Sequence, residues 1–233
     1  MTRFAVVLVL VFSLHAPVSA DDWPRFRGSD GSGVGDAAGL PVEFGPESHV
    51  AWKTSVPFGR SSPIVAAGAI YLTAADDEAL WVLAFDEVTG KERWRHRVER
   101  PRRSEVYPAN DTASPTPASD GKAVYAFFPD FGLVAVSAEG KELWRQPLGP
   151  FESFYGMAAS PILEGDTLLM LCDQRQGSYL LALDKKSGEE KWRAQRDRMY
   201  AWSTPVVAQS RSGAVVLVVG SLWVDAYALA DGR

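Results

Sequence analysis

Asn110 and Asp111 stand side by side, and Asn110 is the only asparagine in the 233-residue chain. An amide oxygen beside a carboxylate offers two hard donors to a cation or a polar ligand. Calcium takes six to eight oxygens, however, and one Asn-Asp pair supplies few of them. Asp76-Asp77-Glu78 is a second carboxylate cluster, with the composition of an exposed loop. Cys172 is the only cysteine, so no internal disulfide can form. Three histidines, at 15, 49 and 96, are too few and too scattered for a histidine metal site or a Ser/His/Asp triad. Gly31-Ser32-Gly33-Val34-Gly35 is glycine-rich, but no strand precedes it and no helix pattern follows, which excludes a dinucleotide loop. Arg95, Arg97, Arg100, Arg102 and Arg103 form a basic run without interleaved aromatics, the composition of a solvated strand end. Asn110-Asp111-Thr112 also fits an N-glycosylation acceptor, which matters only in a eukaryotic secretory host.

The elements that must position these residues come from a repeat. Four segments align, with Ser-Pro or Thr-Pro markers at Pro63, Pro115, Pro161 and Pro205 and tryptophans at 94, 144 and 192. The spacing, in the forties to low fifties, is that of one four-stranded unit per repeat. Each repeat reads as strand A after the proline, a glycine hairpin, an apolar strand B, a polar loop, strand C, a Thr-Gly or Ser-Gly turn, and strand D carrying the tryptophan. The hairpins are Ala67-Gly68-Ala69, Asp120-Gly121 and Glu164-Gly165-Asp166. No segment reads as a long helix. Four-stranded antiparallel units that bury both faces stack radially, so the expected fold is an all-β propeller of four-stranded antiparallel blades.

Ala84-Phe85-Asp86-Glu87-Val88-Thr89-Gly90-Lys91-Glu92-Arg93-Trp94 resembles the A-x-D-x-x-T-G-x-x-x-W tryptophan-docking motif of pyrroloquinoline-quinone (PQQ) propellers at every fixed position. Ala182 to Trp192 matches with Ser187 for threonine, keeping Asp184 and Gly188. The second repeat, Ala135 to Trp144, is one residue shorter and has Ser137 where aspartate is expected. The opening Trp23-Pro24-Arg25-Phe26-Arg27-Gly28 is similar to the start of secreted bacterial PQQ-like repeat proteins, related to outer-membrane assembly propellers. The resemblance implies a structural role for Asp86, Thr89, Gly90, Trp94, Trp144, Asp184, Gly188 and Trp192: indoles wedge between blades, largely buried, while the Asp/Thr/Gly turn holds the backbone. It implies a binding or scaffolding module without quinone, with no catalytic or metal residues. The alternative is a PQQ- and calcium-dependent alcohol dehydrogenase. Such enzymes often carry two adjacent cysteines, and this chain has only Cys172.

Residues 1–20 read as a signal peptide: Arg3, an apolar run from Phe4 to Phe12, and Val18-Ser19-Ala20 as the cleavage site, too short a run to span a bilayer. The expected location is therefore secreted or periplasmic, without a transmembrane anchor after cleavage. Loss of Arg3 takes the formal net charge from −5 to −6, which argues against nucleic acid as a partner. Residues 21–49 are expected as an extended N-terminal segment and 50–56 as an orphan outer strand around Trp52. Residues 57–233 hold the blades, at about 62–98, 114–148, 160–195 and 203–233, the last incomplete. The expectation is an open, partial arc of about four blades. Loops that precede the A strands converge on the propeller axis, so a ligand rim is expected at Arg60, Asn110, Asp111, Tyr155, Tyr200 and Trp202. The partner expected there is a protein, a peptide or a carbohydrate.

Overall fold

In the computed structural model, residues 22–36, 39–220 and 222–233 are described. The expected signal peptide lies outside them. Fifteen strands and no helix occur among the described residues.

The first sheet is built from β1 (Ile64–Ala66), β2 (Ala69–Ala75), β3 (Ala79–Asp86) and β4 (Glu92–Glu99), the second from β5 (Ala118–Ser119), β6 (Ala123–Phe128), β7 (Gly132–Ser137) and β8 (Glu142–Pro147). The third holds β9 (Ile162–Glu164), β10 (Thr167–Cys172), β11 (Ser178–Asp184) and β12 (Glu190–Arg196). The fourth holds β13 (Val206–Ser210), β14 (Gly213–Val219) and β15 (Val224–Ala228). Every sheet is antiparallel in chain order, and the sheets form an open propeller arc.

Burial follows strand position. The middle strands are apolar and covered on both faces, as in β6, where Ala123–Phe128 are all buried. The outer strands β4 and β12 alternate and carry charge on their open side, which blunts an edge that would otherwise template pairing. Each C–D ladder contains a bulge before its tryptophan. Ala84 faces Trp94 while Phe85 faces Glu92, and the same slip occurs at Ala135/Trp144 and Ala182/Trp192.

Two devices join neighbouring blades. The first is the indole. Trp94 Nε1 donates to Ala138 O (2.7 Å), Trp144 Nε1 to Lys185 O (2.9 Å) and Trp192 Nε1 to Leu229 O (2.9 Å), each reaching the C–D turn of the next blade. The ring lies on that turn's glycine: a Cβ built at Gly140, Gly188 or Gly232 would sit 2.8, 2.7 or 2.6 Å from it. The φ of Gly188, +75°, independently favours glycine. Asp86 Oδ1 accepts from the N–H and hydroxyl of Thr89, and Asp184 Oδ1 holds Lys186 N and Ser187 N, so both carboxylates shape the turn as the motif implied. Trp144 is 9% exposed, whereas Trp94 and Trp192 are half-buried.

The second device is a ladder at the start of the A strands. Ser62 N donates to Thr116 Oγ1 (3.0 Å), Thr116 N to Ser160 Oγ (2.9 Å) and Ser160 N to Thr204 Oγ1 (3.1 Å). This ladder corrects one repeat marker. The equivalent of Ser62-Pro63 in the second blade is Thr116-Pro117, not Ser114-Pro115, and β5 follows it as β1 follows Pro63.

Residues 50–56, expected as an orphan outer strand, carry no strand assignment. Trp52 nevertheless docks as its repeats do, with Nε1 donating to Glu87 O (3.0 Å) and its ring over Gly90. Further upstream, Trp23 exchanges both backbone hydrogen bonds with Val65, and Pro24 O accepts from Ser119 N. The N-terminal segment thus covers the inner edges of β1 and β5.

Candidate functional site

The loops entering the A strands are held in place from below. Asp130, fully buried, accepts from Arg100 Nε (2.8 Å) and Ser104 N (2.8 Å), and Arg102 donates to Pro129 O and Leu148 O. Thr73 Oγ1 on β2 donates toward Ala113 O (3.1 Å) and Pro115 O (3.2 Å). On the far side Arg196 grips Asp173 with two hydrogen bonds (2.7 and 3.0 Å), and Arg198 grips Asp225 (2.8 and 3.0 Å). The basic run is therefore a set of loop anchors. Arg95 pairs with Glu92 and Arg103 with Asp77, completing its structural reading. Asp76 is likewise a loop cap: it accepts from Glu78 N, Ala79 N and Trp81 Nε1, which hold its carboxyl below the usual carboxylate range.

On this frame the six expected rim residues come together in three linked pairs. Arg60 Nε lies 3.5 Å from Asp111 Oδ2, with the guanidinium 5.2 Å above the Phe58 ring. Asn110 Nδ2 donates to Tyr155 O (2.6 Å) across 45 residues of sequence. Tyr200 stacks on Trp202 at 6.0 Å, and Tyr155 meets Trp202 edge-on at 5.6 Å. Trp202 Nε1 is fixed by Gly156 O (2.9 Å). Phe154, Tyr155 and Trp202 remain 67%, 45% and 40% exposed.

Sequence reasoning missed two members. Tyr107 and Phe154 pack on Tyr155 at 5.5 and 4.9 Å. Phe58 and Thr112 sit in the rim loops beside Arg60 and Asp111. Tyr107 and Phe154 lie just outside those loops, and only the fold brings them in.

Two cavities flank the cluster. One, of about 460 Å³, is lined by Glu105, Tyr107, Phe151, Phe154, Arg175 and Tyr200 among others. The other, of about 440 Å³, lies between Phe58, Asp76 and the Asn110-Asp111-Thr112 turn. Burial pushes the Asp111 carboxyl above the usual range, opposed by the hydrogen bond from Ala113 N and by Arg60. Cys172 lies in the core, where burial pushes its thiol up to about 12.

Four-stranded blades joined by indoles on glycine turns define a β-propeller of the quinoprotein-like, PQQ-like repeat class. The chain belongs to the family described as outer membrane protein assembly factor BamB, whose model matches residues 46–171 and 81–233. Among solved structures, the quinohemoprotein alcohol dehydrogenase from Comamonas testosteroni is similar at 18% identity, over 77% of this chain and 34% of that one, with a TM-score of 0.55. A quinohemoprotein alcohol dehydrogenase from Pseudomonas putida HK5 is similar at 19% identity, over 72% and 29%, with a TM-score of 0.53. BamB from Moraxella catarrhalis is similar at 16% identity, over 78% and 52%, with a TM-score of 0.47. The chain spans between about a third and a half of these structures, and the dehydrogenase likenesses speak to fold alone. No curated protein matched.

No group of three or more His, Cys, Asp or Glu among the described residues is placed to hold a metal ion. The side-chain oxygens of Asn110, Asp111 and Thr112 fall well short of the six to eight that calcium takes. The thiol of Cys172 is enclosed in the core rather than at the rim.

Proposed function

We propose that the protein is a secreted or periplasmic binding or scaffolding module, working without bound quinone, whose ligand surface is the rim formed by Arg60, Asn110, Asp111, Tyr155, Tyr200 and Trp202. The observation that carries this reading is the aromatic cluster of exposed Tyr107, Phe154, Tyr155 and Trp202 with half-buried Tyr200, gathered from loops of different blades. Exposed rings cost free energy in water, and tyrosine and tryptophan provide large contact area with few rotatable bonds. Their neighbours Asn110 and Asp111 supply polar contacts at the edge, the combination that suits a peptide or an oligosaccharide. The net negative charge speaks against nucleic acid.

The test is an array of peptides and oligosaccharides probed with the full chain, followed by titration of the ligands found. Tyr155→Ala and Trp202→Ala should each weaken binding at least tenfold. Val88→Ala, on the exposed C–D turn, should leave it unchanged. Ligands indifferent to Tyr155 and Trp202 would refute the rim.

A further inference from the structure

The cavity beside Tyr107 and Phe154, of about 460 Å³, falls within the range of about 300–1,000 Å³ that small-ligand sites occupy. Its walls are fixed by the protein itself. Gln174 Oε1 accepts from Glu152 N (3.0 Å) and Arg175 N donates to Glu152 O (2.9 Å), which clamps the β10–β11 loop onto the segment between β8 and β9. Ser153 Oγ donates to Gly156 O (2.8 Å) and closes the turn that carries Phe154. Gly156 packs so closely that a Cβ there would lie 2.9 Å from Cγ1 of Val106, a wall residue on the β4–β5 connection. Phe151, also in the wall, meets Phe127 of the core edge-on at 5.6 Å. Walls held in this way lower the ordering cost of binding.

Three charged residues line this cavity and are not paired with one another. Arg175, Glu105 and Glu152 are exposed, and no hydrogen bond or ion pair joins their side chains to any of the described residues. Other arginines around the rim are engaged, Arg60 with Asp111, Arg100 with Asp130 and Arg198 with Asp225. The exposed rings of Tyr107 and Phe154 complete the lining. Charge then sorts the ligands. An anion in this cavity meets two carboxylates, and a cation meets Arg175. An apolar side chain takes water from all three groups without replacing its hydrogen bonds. A neutral polyol suits both signs, because each hydroxyl accepts from a guanidinium or donates to a carboxylate, and either planar group can span two adjacent hydroxyls. The apolar C–H face of a sugar ring is matched by the aromatic wall.

We propose that this cavity binds a neutral sugar unit of an oligosaccharide, with its C–H face against Tyr107 and Phe154 and its hydroxyls on Arg175, Glu105 and Glu152. The inference narrows the rim reading to one class of ligand and rests on that reading.

The experiment titrates the full chain with cellobiose, maltose and lactose and reads amide chemical shifts. At least one of these sugars should saturate, with shifts at residues 105–108, 152–154 and 175. The tightest is then compared with its 6-carboxylate and its 2-amino-2-deoxy analogues, each of which should bind at least fivefold more weakly; this comparison needs no variant. Arg175→Ala, Glu152→Ala and Tyr107→Ala should each lose at least fivefold. Arg211→Ala, at an exposed arginine of the β13–β14 hairpin, should change nothing. No saturation by any of the three sugars, equal binding of neutral and charged forms, or indifference to Arg175→Ala would each overturn the proposal. So would array peptides that shift residues 105–108 and 175 where the sugars do not, which would make this a peptide pocket. If array ligands depend on Tyr155 and Trp202 while no sugar binds, the cavity inference fails alone. If a sugar binds and is weakened by Arg175→Ala while array ligands ignore Tyr155 and Trp202, the rim reading fails alone.

Discussion

Adding one methyl group at Gly188 should test whether the indole-on-glycine contact holds blades together. Gly188 adopts φ +75°, and an alanine there costs about 1 kcal/mol in backbone strain. Its Cβ would also lie 2.7 Å from Cδ2 of Trp144, so the ring must move. Full truncation of a core tryptophan costs about 3–5 kcal/mol. A displaced ring keeps part of its packing, so about 2 kcal/mol is a fair share of that cost. Loss of the Nε1 hydrogen bond to Lys185 O adds about 1 kcal/mol. Gly188→Ala should therefore destabilise by about 4 kcal/mol. Gly165→Ala is the control: φ is +55°, nothing lies within 4 Å of its Cβ, and only the strain of about 1 kcal/mol applies. Urea unfolding followed by far-UV circular dichroism reads both. In the Trp144→Ala background, Gly188→Ala should cost only the strain, giving a coupling of about 3 kcal/mol. Equal costs at Gly188 and Gly165, or additivity with Trp144→Ala, would refute the docking argument.

Other consequences follow from buried and turn charges. Asp130→Ala leaves Arg100 and Ser104 N without their buried carboxylate; it should destabilise by about 3 kcal/mol and make residues 100–112 sensitive to limited proteolysis, and unchanged protection would contradict the anchoring role. Arg93, together with Thr89, holds the Asp86 carboxyl far below its usual range, so its contribution is present above the unfolded carboxylate pKa and is lost as pH falls through the folded one. Acid unfolding monitored by circular dichroism should accordingly be less steep in Asp86→Asn, and an identical profile would remove Asp86 from the account. Cys172, with its thiol pushed up to about 12, should resist an aromatic disulfide reagent at pH 8 until the chain unfolds; fast reaction in the native state would mean that the core opens locally. Full chain given PQQ and calcium should show no alcohol-dependent dye reduction. Turnover abolished by Asp111→Ala would restore the dehydrogenase alternative.

The repeat was legible because its markers are local needs. A turn at positive φ demands Gly90 or Gly188, and a bulged outer strand demands the tryptophan a few residues later. What failed in the sequence reading depended on partners in space. Ser114-Pro115-Thr116-Pro117 offers two registers, and only the hydroxyl ladder from Ser62 to Thr204 selects the second. Around Trp52 the sequence suggested an outer strand, and the docking of its indole on Glu87 O and Gly90 depends on a contact in space that the local sequence does not show. Repeat topology alone was enough to put Arg60, Asn110, Asp111, Tyr155, Tyr200 and Trp202 in loops that precede the A strands. The pairing of Asn110 with Tyr155 depends on loop geometry that no spacing encodes.

The claim that function resides on this rim is tested most directly by hydrogen exchange on the full chain, with and without a ligand from the peptide and oligosaccharide array. Protection should concentrate at residues 105–112, 153–157 and 199–204, with the C–D turns at 87–90, 138–140 and 185–188 unchanged. A footprint on those turns or on the outer strands β4, β8 and β12, with the rim unprotected, would contradict it.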